Sequence, residues 1–282
     1  MIDYHNHLEK GELTPRYLRQ FAEAARKRGI TEMGISEHAY MFSEFRPVYE
    51  SELARCEDNL REKQRDWLES KGFVWTLEDY FQLLRGSDLG GIDLRVGLEV
   101  DYFPGAEELT ASVLSDWLFD YLIGSVHWVD GWIYDVWPES WRGRDVRRTW
   151  QRYFSTARKM VDSGLFDVMG HPDSIKVFGH RPQSRVSEDI ARLVDALSET
   201  GMAAEVNTAF CYRGYSEDFC PGPEILSQMS ENGVQITFGS DAHRPCEAGL
   251  LLDEAVQVAR EFGYERGLRF RRRQKVKFNL PG

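Results

Sequence analysis

MIDYHNHLEKGELTPRYLRQFAEAARKRGITEMGISEH, residues 1–38, decides the fold. A short β-rich run, Ile2–His5, leads into Thr14–Arg28, where Leu18, Phe21, Ala22 and Ala25 fall on one helical face. Gly29 follows, at a place where a left-handed residue helps a helix end. A second β-rich run, Glu32–Ser36, comes next. Strand, helix and strand in so few residues imply two parallel strands joined by a helical crossover. Both strands lead into histidine: His5 and His7 at the first, His38 just past the second.

The same alternation runs through the chain. Further strands are expected at Leu94–Val100, Tyr121–Val126, Val168–Gly170, Ala203–Asn207 and Gln235–Gly239. Helical patterns lie at Val48–Ser70, Val146–Asp162, Ser187–Thr200, Pro223–Glu231 and Glu247–Glu261. Ser187 opens its helix with a cap-like S-x-D. Gly72, Gly201, Gly233 and Gly263, like Gly29, follow helical runs. About seven strand–helix units predict an α/β fold with a mainly parallel sheet, closed or nearly closed into a barrel. No Pro/Ser-rich break or internal repeat divides the chain, so residues 1–282 are expected to form one domain. Trp128–Arg144 carries four tryptophans with little periodicity and reads as a long loop near strand ends. Arg266–Lys277 reads as a basic, solvated surface segment. The long Val48–Asp88 insertion is placed to cover a site or to form an interface.

Composition narrows the functional classes. A hydrophobic share of 42% and a charged share of 29% are ordinary for a globular protein. The formal net charge of −11 argues against a general nucleic-acid binder, which needs a basic face. It leaves room for a small phosphorylated substrate, because bound divalent cations reverse the local sign. No stretch approaches the roughly 18 apolar residues of a membrane span. The polar start MIDYHNHLEKGE does not read as a signal peptide. Cys56, Cys211, Cys220 and Cys246 show no paired spacing and are expected to be reduced thiols in a cytoplasmic protein. Oligomeric state is left open.

The histidines carry the chemistry. Of seven, six sit at or just beyond strand ends: His5, His7, His38, His127, His171 and His243. The C-terminal strand ends form the active-site face of such a barrel. His5 and His7 stand at i and i+2, so both side chains face the same side of a strand and can share a cation. Asp241 and His243, in FGSDAHRP, form a second such pair. Imidazole with carboxylate suits zinc, manganese or iron. Glu99, in RVGLEVDYFPG, enters the same mouth, and its two oxygens can bridge two cations.

The segments DYHNHL, GISEHAY, GLEVDYFPG, GSVHWVDG, MGHPDSIKVFG, EVNT and GSDAH span residues 3–243. In kind and order they resemble the motifs of the polymerase and histidinol phosphatase (PHP) family. GSVH, GHPDSIKVFG and EVNT most resemble its histidinol-phosphatase branch. The resemblance implies a distorted (β/α)7 barrel with the metal site at the C-terminal ends of the strands. It implies two or three divalent transition-metal ions (Zn, Mn or Fe) and hydrolysis of phosphate monoesters. Carried over by position, His5, His7 and Asp241 would bind a first ion. Glu99 would bridge it to a second, completed by His127 and His171. His38 and His243 would hold a third. HNHLEKGEL departs from the family pattern there, offering Glu9 and Glu12 as carboxylates, with Glu9 preferred. Glu99, Asp241 and His243 are also expected to act in catalysis, with Glu37 orienting a ligand.

The implied reaction is hydrolysis of L-histidinol phosphate to L-histidinol and phosphate, a step of histidine biosynthesis, by a hydroxide bridging two ions. Lys176, Arg181, Arg213 and Arg244 follow strands and are candidates for holding phosphate, with Asn207 as a further contact. Trp128, Trp132, Tyr102 and Phe178 are expected as walls of the mouth. His180 matches no ligand position and reads as a loop residue. Two other readings stand beside this one. The same ions could act on a nucleotide, another small phosphorylated metabolite or a phosphodiester, which a substrate panel would reveal. A non-catalytic, metal-binding regulatory protein would tolerate loss of Glu99 and Asp241 without losing turnover.

Overall fold

The computed structural model describes residues 1–184 and 186–282. The first strand, β1 (Ile2–Asp3), pairs in parallel with β2 (Glu32–Ile35), and β2 pairs with β3 (Asp93–Val96). The chain bends at Gly97–Leu98 and continues as β4 (Glu99–Asp101), which pairs with β5 (Ile123–Ser125). A small hairpin, β6 (Trp128–Val129) and β7 (Trp132–Ile133), leaves the sheet. Parallel pairing then runs from β5 to β8 (Val168–Met169), β9 (Ala203–Asn207) and β10 (Ile236–Gly239). The ring closes where Tyr4 N donates to Phe238 O at 2.9 Å and His7 N donates to Ala242 O at 2.8 Å. With β3 and β4 as one bent strand, seven parallel strands encircle the core, as the alternation predicts.

The bend has a steric cause. The expected strand Leu94–Val100 is interrupted because Tyr121 fills the barrel interior, where its hydroxyl donates to the Tyr4 carbonyl. A Cβ at Gly97, or at Gly34 on β2, would strike the Tyr121 ring. A second seam runs along β10. Asp3 is fully buried and accepts hydrogen bonds from Ser240 N (2.9 Å), Ser240 Oγ (2.6 Å) and Gly249 N (2.8 Å). One carboxylate thereby ties the first strand to the loop that follows the last barrel strand.

Helices wrap the ring. In α1 (Pro15–Lys27) the expected residues Leu18, Phe21, Ala22 and Ala25 are buried, and Thr14 Oγ1 caps Tyr17 N. Burying the Leu18 and Phe21 side chains contributes about 1.5–3 kcal/mol each. The expected helix Val48–Ser70 is instead two, α2 (Arg46–Leu53) and α3 (Asp58–Lys71). Arg61 stabilises the break by donating to the carbonyls of Leu53 (2.8 Å) and Cys56 (2.7 Å). Two helices here, α4 (Leu77–Arg85) and α5 (Glu107–Ser115), add to those expected, as does a short one further along the chain, Ala209–Tyr212. Next come α6 (Val146–Asp162) and α7 (Ser187–Thr200). Ser187 lies inside α7 and its side chain makes no cap bond, contrary to the cap-like reading. The remaining helices are α8 (Ala209–Tyr212), α9 (Pro223–Glu231) and α10 (Leu252–Glu261). Gly72 is extended at φ −99°, unlike Gly201, which ends α7 at φ 66°.

The basic C-terminal stretch is an antiparallel hairpin, β11 (Arg266–Arg271) and β12 (Gln274–Asn279), not a loose surface segment. Leu268 and Phe270 are buried, and Phe270 N donates to Tyr4 Oη at 3.1 Å. Asp120, just before β5, accepts from Arg272 N and Arg273 N. The hairpin therefore covers the N-terminal end of the barrel. The opposite end is left for the histidines.

Candidate metal centre

Glu99 opens β4 and stands at the centre of the C-terminal mouth, 2% exposed. Its Oε2 lies 3.5 Å from His5 Nε2, 3.7 Å from His7 Nε2 and 2.7 Å from His38 Nδ1. Its Oε1 lies 2.9 Å from His171 Nε2 and 3.6 Å from His127 Nε2. One carboxylate thus faces five imidazoles from four different strand ends. Ser125 Oγ donates to Oε1 at 2.6 Å and fixes its orientation. Asp241 Oδ1 lies 3.5 Å from His7 Nε2. The rings of His38 and His243 meet nitrogen to nitrogen at 3.4 Å, and those of His127 and His171 at 3.3 Å.

The outer edges of these rings are held by carboxylates. Glu205 Oε1 sits 2.7 Å from His5 Nδ1, Asp101 Oδ1 2.6 Å from His127 Nδ1, and Glu37 Oε1 3.5 Å from His7 Nδ1. Each contact turns an Nε2 toward the centre, the arrangement that orients metal-bound imidazoles. Glu37 is itself fixed by Leu8 N at 2.6 Å and His38 N at 2.9 Å. Gly239 makes the first pair possible, because a Cβ there would collide with Glu205 and His5.

The donor set fits divalent cations on its own geometry. His5 Nε2, His7 Nε2 and Glu99 Oε2 are buried and have no hydrogen-bond partner. Leaving such atoms unpaired costs roughly 1–3 kcal/mol each, and all three point at one space. Three sets of donors converge closely enough to share an ion: His5, His7 and Asp241; His5, Glu99 and His171; His7, His38 and His243. Burial opposes ionisation of Glu99, yet His5, His38 and His127 hold it well below the usual carboxylate range. Asp241 is held down in the same way, against burial, by Arg213 and His5. Both are therefore anions at neutral pH. Burial, with the His7 and Arg213 charges, keeps the His243 pKa well below the ordinary value, so this ring is the neutral form that ligates. His7 rises to about 9 against burial, through the Asp241 and Glu37 carboxylates that approach its ring nitrogens at 3.5 Å. The field that favours a proton there also favours a cation.

The backbone is strained at two of these residues. His171 and Asp241 have φ of 25° and 52°, conformations that cost about 1–3 kcal/mol each and cluster at functional sites. Tyr212 Oη donates to the Asp241 carbonyl at 3.2 Å and steadies that turn.

The third set lies where the sequence departs from the family pattern. Glu9 Oε1 is buried, 3.8 Å from His243 Nε2, and Glu9 lines the cavity. Tyr40 Oη donates to Glu9 Oε2 at 2.9 Å. Glu12 is exposed and does not line the cavity.

The mouth opens into a cavity of about 510 Å³. Arg213 and Arg244 are on its wall, joined by Lys10 and Lys71, which the sequence reading did not single out. Lys176 and Arg181 are not. Lys176 is buried and donates to Asp173 Oδ2 (2.9 Å) and the Phe219 carbonyl (2.7 Å), while both residues line a separate depression. Asn207 is buried and spans Glu205 Oε2 at 3.0 Å and Asp241 Oδ2 at 3.3 Å, so it braces the site. Trp128 lines the cavity, but Trp132, Tyr102 and Phe178 do not; Tyr40, Trp67, Phe210 and Tyr215 take their place. Trp132 packs instead against Trp141. His180 stacks on Trp141 away from the mouth. Glu205 and Asp101 were missed as supports. Each stands two residues from a noted residue, Asn207 or Glu99, and strand alternation alone could have found them.

The PHP domain family model matches residues 3–209. The chain belongs to the PHP domain family. A probable histidinol-phosphatase of Deinococcus radiodurans is 29% identical over 259 residues, covering 91% of both chains. The histidinol-phosphatase of Bacillus subtilis is 22% identical over 257 residues, covering 82% of this chain and 89% of its own. Among solved structures, histidinol phosphate phosphatase from Lactococcus lactis, complexed with zinc, L-histidinol and phosphate, aligns with a TM-score of 0.73. It covers 98% of each chain at 19% identity, and shows the shared fold. Among the described residues, no helix is long and apolar enough to cross a membrane.

Proposed function

We propose that this PHP protein is a metal-dependent phosphomonoesterase that hydrolyses L-histidinol phosphate to L-histidinol and phosphate, a step of histidine biosynthesis. The observation that carries the reading is Glu99, whose two oxygens face His5, His7 and His38 on one side and His127 and His171 on the other. Relatives named as histidinol-phosphatases support the choice of substrate.

His5, His7 and Asp241 would hold one ion, His127 and His171 a second, with Glu99 between them. His38 and His243, with Glu9, would hold a third. Zinc, manganese and iron all suit this donor set. Bound ions of this kind lower the pKa of water to near neutral and offset charge building on the phosphoryl oxygens. The chain's own residues do the positioning. Ser125 and Asn207 orient the Glu99 and Asp241 carboxylates. Arg213 and Arg244 line the cavity beside His243, where guanidinium groups suit phosphate oxygens. The phosphorus–oxygen bond to the alcohol breaks, water supplies hydroxide to phosphorus, and its proton goes to the alcohol. No side-chain nucleophile is needed. The whole chain acts as one domain, and four free cysteines suit a reducing cytoplasm.

The test is a steady-state panel with manganese- or zinc-loaded protein. It compares L-histidinol phosphate with nucleoside monophosphates, sugar phosphates and a phosphodiester. The highest kcat/KM is expected on L-histidinol phosphate. Activity confined to nucleotides or to the diester would overturn the substrate assignment.

A further inference from the structure

Asp135 lines the metal cavity, and the proposed chemistry does not use it. Its backbone is pinned beside His127. Tyr134 N donates to the His127 carbonyl at 3.2 Å, and Tyr134 Oη donates to the Val126 carbonyl at 2.7 Å. Asp135 Oδ1 is closed off from solvent and has no hydrogen-bond partner among the described residues. Ile133 and Val136 flank it along the chain and line the same cavity, with Trp67 of α3. A carboxylate oxygen left unpaired in such a place is costly unless a ligand satisfies it. Burial raises the Asp135 pKa, and the nearby His127 charge opposes that rise.

Three of the wall's four cations gather elsewhere, and the fourth, Lys71, stands one turn along α3 from Trp67. Arg213 Nη2 lies 2.7 Å from His243 Nδ1, Arg244 follows His243 in the chain, and Lys10 pairs with Glu9 at 2.8 Å. One side of the cavity thus attracts anions. On the Asp135 side, Asp101 is already held by His127 Nδ1 at 2.6 Å, so Asp135 is the carboxylate left for a ligand among apolar and aromatic groups.

We propose that Asp135 receives the ammonium group of the leaving alcohol, so that the cavity selects phosphate monoesters of amino alcohols. This rests on the histidinol phosphate reading and names the residue that makes it selective. The experiment compares metal-loaded wild type, Asp135→Asn and Asp135→Glu on L-histidinol phosphate and on its amine-free analogue, 3-(imidazol-4-yl)propyl phosphate. Metal content is measured on each protein. Wild type is expected to prefer the amine-bearing ester. Asp135→Asn should raise KM for L-histidinol phosphate about tenfold or more, the loss of a charge-assisted contact, while kcat/KM on the analogue stays within about twofold. Metal content should be unchanged, and Asp135→Glu should keep the preference for the amine. Equal losses on both esters, no change on either, or loss of bound metal would overturn the role of Asp135. A wild type active on both esters without preference would overturn it too, and would leave the phosphatase reading standing. A wild type inactive on L-histidinol phosphate but active on other monoesters would overturn the parent reading.

Discussion

Glu99 and Asp241 place negative charge where at least five imidazole nitrogens converge, and both stay ionised although buried. Replacing either should therefore remove bound metal as well as turnover. For Glu99→Gln and Asp241→Asn, phosphate release is expected to fall to background and metal content to drop, read by elemental analysis. Unchanged turnover in either would refute the assignment. The supporting carboxylates should act more mildly. Glu205→Gln leaves His5 in place but removes the partner of its Nδ1, so metal affinity should fall about 10–100-fold in a chelator competition. Glu9→Ala should weaken one ion's binding while Glu12→Ala does nothing, because Glu9 alone of the two reaches the cavity. The residues that converge on the mouth were legible because strands end in His5, His7, His127, His171, Asp241 and His243. Supports such as Asp101 are marked only by standing two residues from a noted residue on the same strand face, and their partner ring appears only in the fold. Lys176 misled for the opposite reason: a cation after a strand is as readily consumed by a neighbouring carboxylate, here Asp173, while Arg181 lies over the Trp150 ring.

The elements place these residues through the bent third strand. β3 belongs to one half of the ring and β4 to the other, and Gly97 lets Tyr121 occupy the inside of the bend. Gly97→Ala should force that ring to move, an overpacking expected to cost about 1–3 kcal/mol in urea unfolding. An unchanged midpoint would show that the interior has slack. Strand–helix alternation was readable because α1 and α7 bury regular apolar faces. The break between α2 and α3 was not, since Arg61 caps it through side-chain bonds to carbonyls across the turn. The terminal hairpin was hidden by charge. Leu268 and Phe270 alternate with arginines, a period of two that the basic composition masks.

At the scale of the molecule, the barrel gathers its buried anions and imidazoles at one end and closes the other with the hairpin. Ions that bind this folded arrangement and not the unfolded chain must stabilise it. Chelation should lower Tm, and added manganese or zinc should restore it together with activity. A Tm indifferent to chelator would mean that the cluster is held without ions. The most direct test of the central claim measures phosphate release from L-histidinol phosphate by one preparation in three states: as purified, stripped by chelator, and reloaded. Release should vanish on stripping and return on reloading, and Asp241→Asn should show none after reloading. Undiminished release from the stripped protein, or full release from Asp241→Asn, would contradict a metal-dependent phosphatase site built on these side chains.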